Sequence, residues 1–576
     1  MYIIGLNIFH NDSSATLIKD GKILFASTEE RFNRVKHSSQ FPIRTLEYIF
    51  KKFNIGKKDI DYFSINSKSN HYLKKILYSI KNLPKLNFFT EYYKRADLKK
   101  KEFDKLLELV SFYSKNDLYR VDHHLAHLNS SYLISGFEES VNVSIDGFGD
   151  FKSSCYGMSK SNFTKVDGSI FFPHSLGVFY QALTQFVGFK NYGDEYKLMG
   201  LSAYGNNTYV DKIEKILKSK KKGFELNLSY FRHHKQNIQI LDNKSEISYI
   251  DIYDLKMEEL LGFSHVKKFE YNQQIADIAK STQTVYENVL FDYLNSLHET
   301  YQSDNLCLSG GCALNSLANG KIIKNTKFKD IFIPYEPADA GGSIGAALTC
   351  YYENNKNIKK TSQPNPYLGT KFNDHEVKMI LETHEKKDDF TFKRYDEFDK
   401  LIDIIASSLN DGKIVAWFQD EMEFGPRALG NRSILMDPSI KNAKEILNLK
   451  IKLREKFRPF APSIIKEEVS SWFETNSLSD YMTFVYKIKE DKRSLIPAVC
   501  HVDGTGRLQT VDKNLNSKFY RLIKKFYDKK KIPILLNTSF NENEPIVNTP
   551  SEALNTFLRT QMDILVIDNF IIKRVI

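Results

Sequence analysis

Apolar and polar positions alternate from the start of the chain. Tyr2–Ile8 and Ala15–Lys19 read as half-buried strands, and the Asp20-Gly21 turn into Lys22–Ser27 predicts a hairpin. A Lys- and Tyr-rich stretch over Pro42–Tyr119 reads as helical. A short apolar run, Val141–Ile145, predicts a strand that opens into Asp146-Gly147-Phe148-Gly149-Asp150. Helical spacing over 270–300 leads to a second short strand, Asn305–Leu308, which opens into Ser309-Gly310-Gly311. A third glycine turn, Asp339-Ala340-Gly341-Gly342, precedes a small-residue helix, Ser343–Thr349. Strand, Gly/Asp loop and helix thus recur three times, a layout suited to a nucleotide cleft in an α/β domain. Tyr352–Leu368 is polar, holds two prolines and has no apolar period. It predicts a linker at 356–375 between units 1–355 and 376–576. The second unit carries its own strands, Lys413–Phe418, Ile532–Leu536 and Asp563–Ile567, and no internal repeat is visible.

Composition narrows this reading without redirecting it. A chain of 576 residues with 41% hydrophobic and 27% charged positions is long enough for two cores and too apolar for disorder. No apolar run reaches the roughly 20 residues that span a bilayer. The N-terminus has neither a basic leader nor a small-residue cleavage site, so a cytoplasmic location is expected. Five scattered cysteines without a CxxC pair argue against disulfides and zinc-thiolate chemistry. The net charge of +11 sits mostly on Lys in polar segments such as Lys51–Lys58 and Lys99–Lys105, without an RNA-binding signature. That pattern suits a solvated face, or a surface attracting phosphorylated substrates, better than a nucleic-acid footprint.

Within this frame a few segments carry chemistry. Val121–Leu128 reads VDHHLAHL, and on a helix His123 and His127 share a face. Neutral imidazoles suit Fe(II), Zn(II) or Mn(II), and Asp146 and Asp339 are the natural carboxylates to complete a shell. An HxxxH pair alone is more often plain polar surface. The loops at Asp146–Asp150 and Ser309–Cys312 let backbone N–H groups approach an anion, although Gly-Gly is also common punctuation. Lys197 reads as a phosphate contact or a salt bridge. His10, in a loop at a strand end, is a candidate base with Asp12 orienting it. Downstream, Arg427, Arg432, Lys452, Arg454 and Arg458 form a cation cluster laced with Phe, Pro and Ala that favour burial. His501–Arg507 (HVDGTGR) and Leu536–Asn541 (LNTSFN) add an Arg, amides and hydroxyls in loops.

HHLAH, SIDGFGD, GDEYKLMGLSAYG, LSGGCALN and DAGGSIGAA, in that order, resemble the N-terminal domain of the O-carbamoyltransferases. These act on antibiotics, cephem precursors and nodulation factors, and the domain is similar to tRNA threonylcarbamoyl-transfer proteins of the actin-like ATPase superfamily. FGPRALGNR, KLREKFRPFAP, HVDGTGR and LNTSFN resemble the family's YrdC-like C-terminal domain. The resemblance implies an α/β fold: an actin-like ATPase-type first domain and an α+β YrdC-like second domain. It implies a divalent metal, iron first with manganese or magnesium as alternatives, on His123, His127 and Asp339, with Asp146 direct or through water. It implies ATP or carbamoyl-adenylate contacts at Asp146, Gly147, Gly149, Lys197, Ser309, Gly310, Gly311 and Asn315. Carbamoyl phosphate is implied at Arg427, Lys452, Arg458, Arg507, Asn537 and Thr538, with Lys452 and Arg458 in catalytic roles beside His10 and Asp12. Glu29, Glu30, Arg31, Lys36 and His37 are implied to line the acceptor pocket.

The implied reaction joins carbamoyl phosphate and ATP into carbamoyl adenylate and passes the carbamoyl group to a hydroxyl of a small molecule or sugar. Acceptor specificity is expected in 67–119 and 206–270. No nucleic-acid or membrane partner is expected, and a homodimer is left open. The alternatives are a threonylcarbamoyl transferase acting on tRNA adenosine and a non-catalytic ATP-dependent interaction protein.

Overall fold

The computed structural model describes residues 1–8, 10–68, 118–235, 239–241 and 247–575. The chain forms two compact units, Met1–Pro364 and Asn365–Ile576.

In the first unit, β1 (Tyr2–Asn7), β2 (Ser14–Lys19) and β3 (Lys22–Thr28) form an antiparallel meander. Asp20 and Gly21 adopt φ of +50° and +79°, as a tight two-residue hairpin requires. β4 (Tyr62–Ile65) and β5 (Leu118–Arg120) add parallel strands, giving the order β3-β2-β1-β4-β5. Helix α1 (His123–Tyr132) follows β5 directly. A second sheet repeats the plan. β6 (Glu139–Gly149), β7 (Lys152–Lys160) and β8 (Phe163–Phe171) form a meander. Helix α2 (Gln273–Tyr301) leads into β9 (Asn305–Ser309), then β10 (Asp330–Phe332), and these strands continue the sheet parallel to β6. The order β8-β7-β6-β9-β10 matches that of the first sheet. This duplication is the actin-like arrangement.

Helix α3 (Gly342–Asn354) packs on β1 and α1. Its small residues set that closeness: a Cβ on Gly345 would lie 1.8 Å from the Ala126 carbonyl oxygen. Of the stretch read as helical over Pro42–Tyr119, the described residues form one helix, Ile43–Phe53, then a 3-10 turn and β4, with Leu118 and Tyr119 in β5. Phe63, Ser64 and Ile65 are buried in the sheet, so tertiary pairing overrides local helical spacing. Residues 69–117, including the aromatic run Phe88–Tyr93, lie outside the described residues.

The second unit is built on one nine-stranded sheet. Its strands are β11 (Phe390–Arg394), β12 (Val415–Phe418), β13 (Arg432–Met436), β14 (Ala461–Ile465), β15 (Phe484–Lys487) and β16 (Thr505–Val511). Helix α4 (Ser517–Lys530) follows, then β17 (Ile534–Ser539), β18 (Ile564–Ile567) and β19 (Phe570–Arg574). The order is β11-β19-β18-β12-β13-β17-β14-β16-β15. α4 buries Phe519, Leu522, Ile523 and Phe526, the 3–4 spacing of an amphipathic helix, in a core that includes Trp417.

Residues 356–375 do not form a free tether. Gln363 accepts from Ile23 N at 2.8 Å and Lys360 donates to Ser135 O at 2.8 Å, whereas Gly369 N donates to Met422 O at 2.9 Å. Each half is tied to its own unit because a polar backbone finds partners on the surface it crosses. Among the described residues no helix is long and apolar enough to cross a membrane.

Candidate functional site

Helix α1 starts where Asp122 caps it, accepting from His124 N at 3.1 Å and Leu125 N at 3.3 Å. Asp150 accepts from His123 N at 3.0 Å and from Lys68 N at 2.8 Å, so the first turn is fixed from two sides. His123 and His127 are buried and bring their Nε2 atoms within 3.1 Å. β6 loses register with β7 between Ile145 and Gly149, and this irregularity sets Asp146 facing α1. Asp146 Oδ2 lies 3.3 Å from His123 Nε2 and 3.2 Å from His127 Nε2. Asp339 Oδ1 lies 3.3 Å from His127 Nε2 and 3.6 Å from His123 Nε2. Asp146 Oδ1 is held by Gly147 N at 2.8 Å and Gly311 N at 3.1 Å, which turns Oδ2 toward the imidazoles.

The four ligand atoms lie within 4.8 Å of one another. Without a cation the cluster is electrostatically frustrated. Burial and the Asp146 charge push Asp339 up to about 6, while burial of His127 is outweighed by its bonds to Asp146 and Asp339, which carry it up to about 10. Two imidazoles and two carboxylates suit a divalent cation such as Fe(II), Zn(II) or Mn(II). Burial followed by the charges of His123 and His127 lowers His124 to about 3, and its Nδ1 bonds Ser144 Oγ at 2.7 Å. It supports the cluster from outside.

The glycine loops close on the same place. Gly310 has φ +87° and its Cβ would strike the Ile145 carbonyl oxygen at 2.3 Å. Ser309 Oγ is buried with no hydrogen-bond partner. Gly149 leaves room for the His123 ring, since its Cβ would meet His123 Cδ2 at 1.9 Å. Asn315 is committed locally: it pairs with Gln283 at 3.0 Å and caps the turn at Ala318 N at 3.1 Å. Lys197 forms a largely buried ion pair with Asp194 at 2.9 Å.

A second cluster surrounds Asp12. Its Oδ1 lies 2.8 Å from His37 Nδ1, and Glu30 accepts from His37 N at 2.9 Å. Burial opposes the imidazolium of His37, but Asp12 raises it to about 9. Asp12 was expected to orient His10, yet this carboxylate oxygen faces His37, and the His10 ring lies 4.4 Å from that of His123. Glu29 is buried and committed to the backbone and side chain of Thr45. It accepts from Thr45 N at 3.0 Å and Thr45 Oγ1 at 2.7 Å, tying down the start of the Ile43–Phe53 helix.

In the second unit Arg507 lies on β16, one face of which carries Thr505, Arg507 and Gln509. Asn537, on β17, donates to Gln509 Oε1 at 2.9 Å and Ser463 Oγ at 3.1 Å, so it shares that face. Thr538 alternates to the opposite face, because successive strand side chains diverge. Burial, then the charges of Arg427, Arg454 and Arg458, hold the Arg507 pKa well below the ordinary guanidinium value, and its Nε is buried without a partner. Lys452 is buried and donates to Ser539 O at 2.5 Å and to Asn541 Oδ1 at 2.6 Å, anchoring the LNTSFN loop. Arg432 leaves the cation cluster altogether. It is fully buried, donates to the carbonyls of Gln419 at 2.6 Å and Thr370 at 2.9 Å, and stacks 3.5 Å above the Phe418 ring.

A family model described as "Carbamoyltransferase N-terminus" matches residues 2–348, and one described as "Carbamoyltransferase C-terminus" matches 406–574. The chain belongs to the carbamoyltransferase family. "Nodulation protein NolNO" of Sinorhizobium fredii is 33% identical to this carbamoyltransferase over 585 residues, covering 99% of the chain and 80% of the relative. "Uncharacterized protein sll1178" of Synechocystis is 35% identical over 614 residues, covering 100% and 97%. Among solved structures, an activator of the 2-hydroxyisocaproyl-CoA dehydratase from Clostridium difficile with bound ADPNP is similar at 15% identity and TM-score 0.32, over 63% of this chain and 100% of that one.

In this carbamoyltransferase two further functional-site candidates are Glu195, inside the GDEYKLMG segment, and Glu336, which no quoted motif contains. Burial pushes Glu195 up to about 7, and burial with the Asp12 charge pushes Glu336 up to about 8. Packing, not local sequence, leaves Glu336 largely neutral at pH 7 and sets Glu195 to titrate there.

Proposed function

We propose that the enzyme makes carbamoyl adenylate from carbamoyl phosphate and ATP in the second unit and transfers the carbamoyl group to a hydroxyl of a small molecule or sugar in the first. The observation that carries this reading is the repulsion that Arg427, Arg454 and Arg458 exert on a half-buried Arg507 whose Nε is buried without a partner. Packed guanidiniums favour anions, and bound phosphates would add to the relief that Glu455 gives Arg458. Water cleaves carbamoyl phosphate to carbamate and phosphate, and a carbamate oxygen then attacks the α-phosphorus of ATP, expelling pyrophosphate. The arginines stabilise the charge that builds on the phosphoryl oxygens. Lys452 keeps the Ser539–Asn541 loop beside them.

In the first unit, His123, His127, Asp146 and Asp339 would hold a divalent cation, which would supply positive charge for the adenylate phosphates. Gly147 and Gly311 fix the non-ligating oxygen of Asp146 through their N–H groups. The Asp12–His37 pair and His10 are the candidate proton carriers for the acceptor hydroxyl, with Glu336, largely neutral at pH 7, and Glu195 as carboxyls available for hydrogen bonding.

Arg507→Ala is expected to reduce pyrophosphate release by at least about a hundredfold while acceptor binding remains measurable. Wild-type rates in the variant would refute the assignment. His123→Ala is expected to lose stoichiometric iron after chelation and reloading, measured by elemental analysis. Full retention of metal would remove His123 from the ligand set.

A further inference from the structure

The HVDGT turn, whose Arg507 neighbour is assigned above, contains a histidine with no role yet. His501 N donates to Thr505 O at 2.8 Å and Gly504 N returns to His501 O at 3.0 Å, closing a tight turn in which Gly504 takes φ +77°. The turn folds the imidazole back beside Thr505, two residues before Arg507 on the same strand face.

The hydrogen bonds fix the tautomer. Asp503 Oδ1 accepts from Thr505 N at 3.1 Å and from Thr505 Oγ1 at 2.7 Å. The single hydroxyl proton of Thr505 is therefore spent on a carboxylate, which has none to return. Thr505 Oγ1 also lies 3.1 Å from His501 Nδ1, so there it accepts, and Nδ1 carries the hydrogen. Nε2 then presents a bare lone pair, buried and without a hydrogen-bond partner. Burial, reinforced by the nearby charges of Arg507 and Lys444 and opposed by Asp503, lowers the imidazole pKa to about 4. It stays neutral at pH 7. Asn537 Oδ1, on the same face of the sheet, is a second buried acceptor without a partner.

His501 Nε2, beside Thr505, and Asn537 Oδ1 are unsatisfied acceptors on the sheet face that carries Arg507. Phosphate alone satisfies the cations and offers no N–H to the acceptors. A ligand that does both carries an anion and an amide NH2 on one small frame. Resting on the reading of the second unit above, we infer that His501 Nε2 accepts a hydrogen bond from the carbamoyl NH2, so that the site selects carbamoyl phosphate over acyl phosphates that carry a methyl group in its place. A site built to bond a substrate N–H rejects the analogue lacking it, because the buried acceptor is then left unpaired.

The test uses the full-length enzyme, with pyrophosphate release as readout. Acetyl phosphate and inorganic phosphate serve as competitors. Wild type is expected to favour carbamoyl over acetyl phosphate. His501→Leu is expected to lower kcat/KM for carbamoyl phosphate on the order of 10- to 100-fold and to leave the acetyl phosphate and phosphate inhibition constants within about twofold. Thr505→Val, which frees the tautomer but keeps the imidazole, is expected to lose part of the same preference. A carbamoyl-to-acetyl preference unchanged in both variants would overturn the inference. So would loss of phosphate inhibition alongside activity, which would make the turn purely structural. Absence of pyrophosphate release from wild type with carbamoyl phosphate would instead overturn the adenylate-forming reading beneath it.

Discussion

Asp12 sits 2.8 Å from His37 Nδ1, and both residues take a left-handed backbone, with φ of +55° and +52°. Neither is glycine, so the loop holds a strained geometry that the ion pair helps to keep. The pair contributes stability fully below the unfolded imidazole value of 6.5 and loses it as pH rises through about 9. With the His37 side chain 41% exposed, solvent screens that contribution. Asp12→Asn is expected to lower the His37 pKa toward 6.5, read by NMR titration of the imidazole. An unchanged titration would show that Asp12 does not set the charge of His37. His501 carries the opposite sign. Its folded pKa is depressed to about 4, so the unfolded chain takes up a proton first, and stability falls as pH drops from 6.5 through about 4. The residue types at these positions were legible in the chain. Their pairing was not: His10 stands two residues from Asp12 and His37 twenty-five, yet the fold gives the Asp12 carboxylate to His37.

Helix α1 owes its position to contacts too close for any side chain. Gly149→Ala would drive a Cβ to 1.9 Å from the His123 ring, so metal affinity is expected to fall by at least about tenfold with the circular-dichroism spectrum unchanged. Retained affinity would mean that the ring can shift without leaving the ligand set. Gly345→Val tests the other side of the same helix, where the obstacle is the Ala126 backbone carbonyl at 1.8 Å. A main-chain atom cannot rotate away, and the overpacked α1–α3 contact is expected to cost about 1–3 kcal/mol, seen as a lowered Tm. The hairpin β2–β3 follows from the alternation and the Asp20-Gly21 turn in the sequence. β4 does not, because its burial in a parallel ladder is a property of the partners β1 and β5.

At the scale of the whole molecule, each unit has its own sheets and core, and each holds one half of the proposed chemistry. Ligands that bind the folded state protect the structure around them. Hydrogen exchange on the full chain is therefore expected to slow around residues 123–149 when Mn(II) is added and around 501–541 when inorganic phosphate is added. Protection by either ligand in both regions would contradict this division. What the sequence determined by itself was the chemical inventory: the HHLAH pair, the glycine loops, the arginine-rich segments and the two-unit plan, because turn glycines, periodicity and ligand spacing are local properties of the chain. What only the tertiary structure decided was allegiance among like residues. Arg432 went to the core under backbone carbonyls while Arg507 was left crowded by like charges, Glu29 became a helix anchor, and His501 kept a lone pair pointed at nothing. Charge and hydrogen-bond capacity are written in the residue type. Whether they are satisfied by the protein or left for a ligand depends on distances between segments far apart in the chain, which no local pattern encodes.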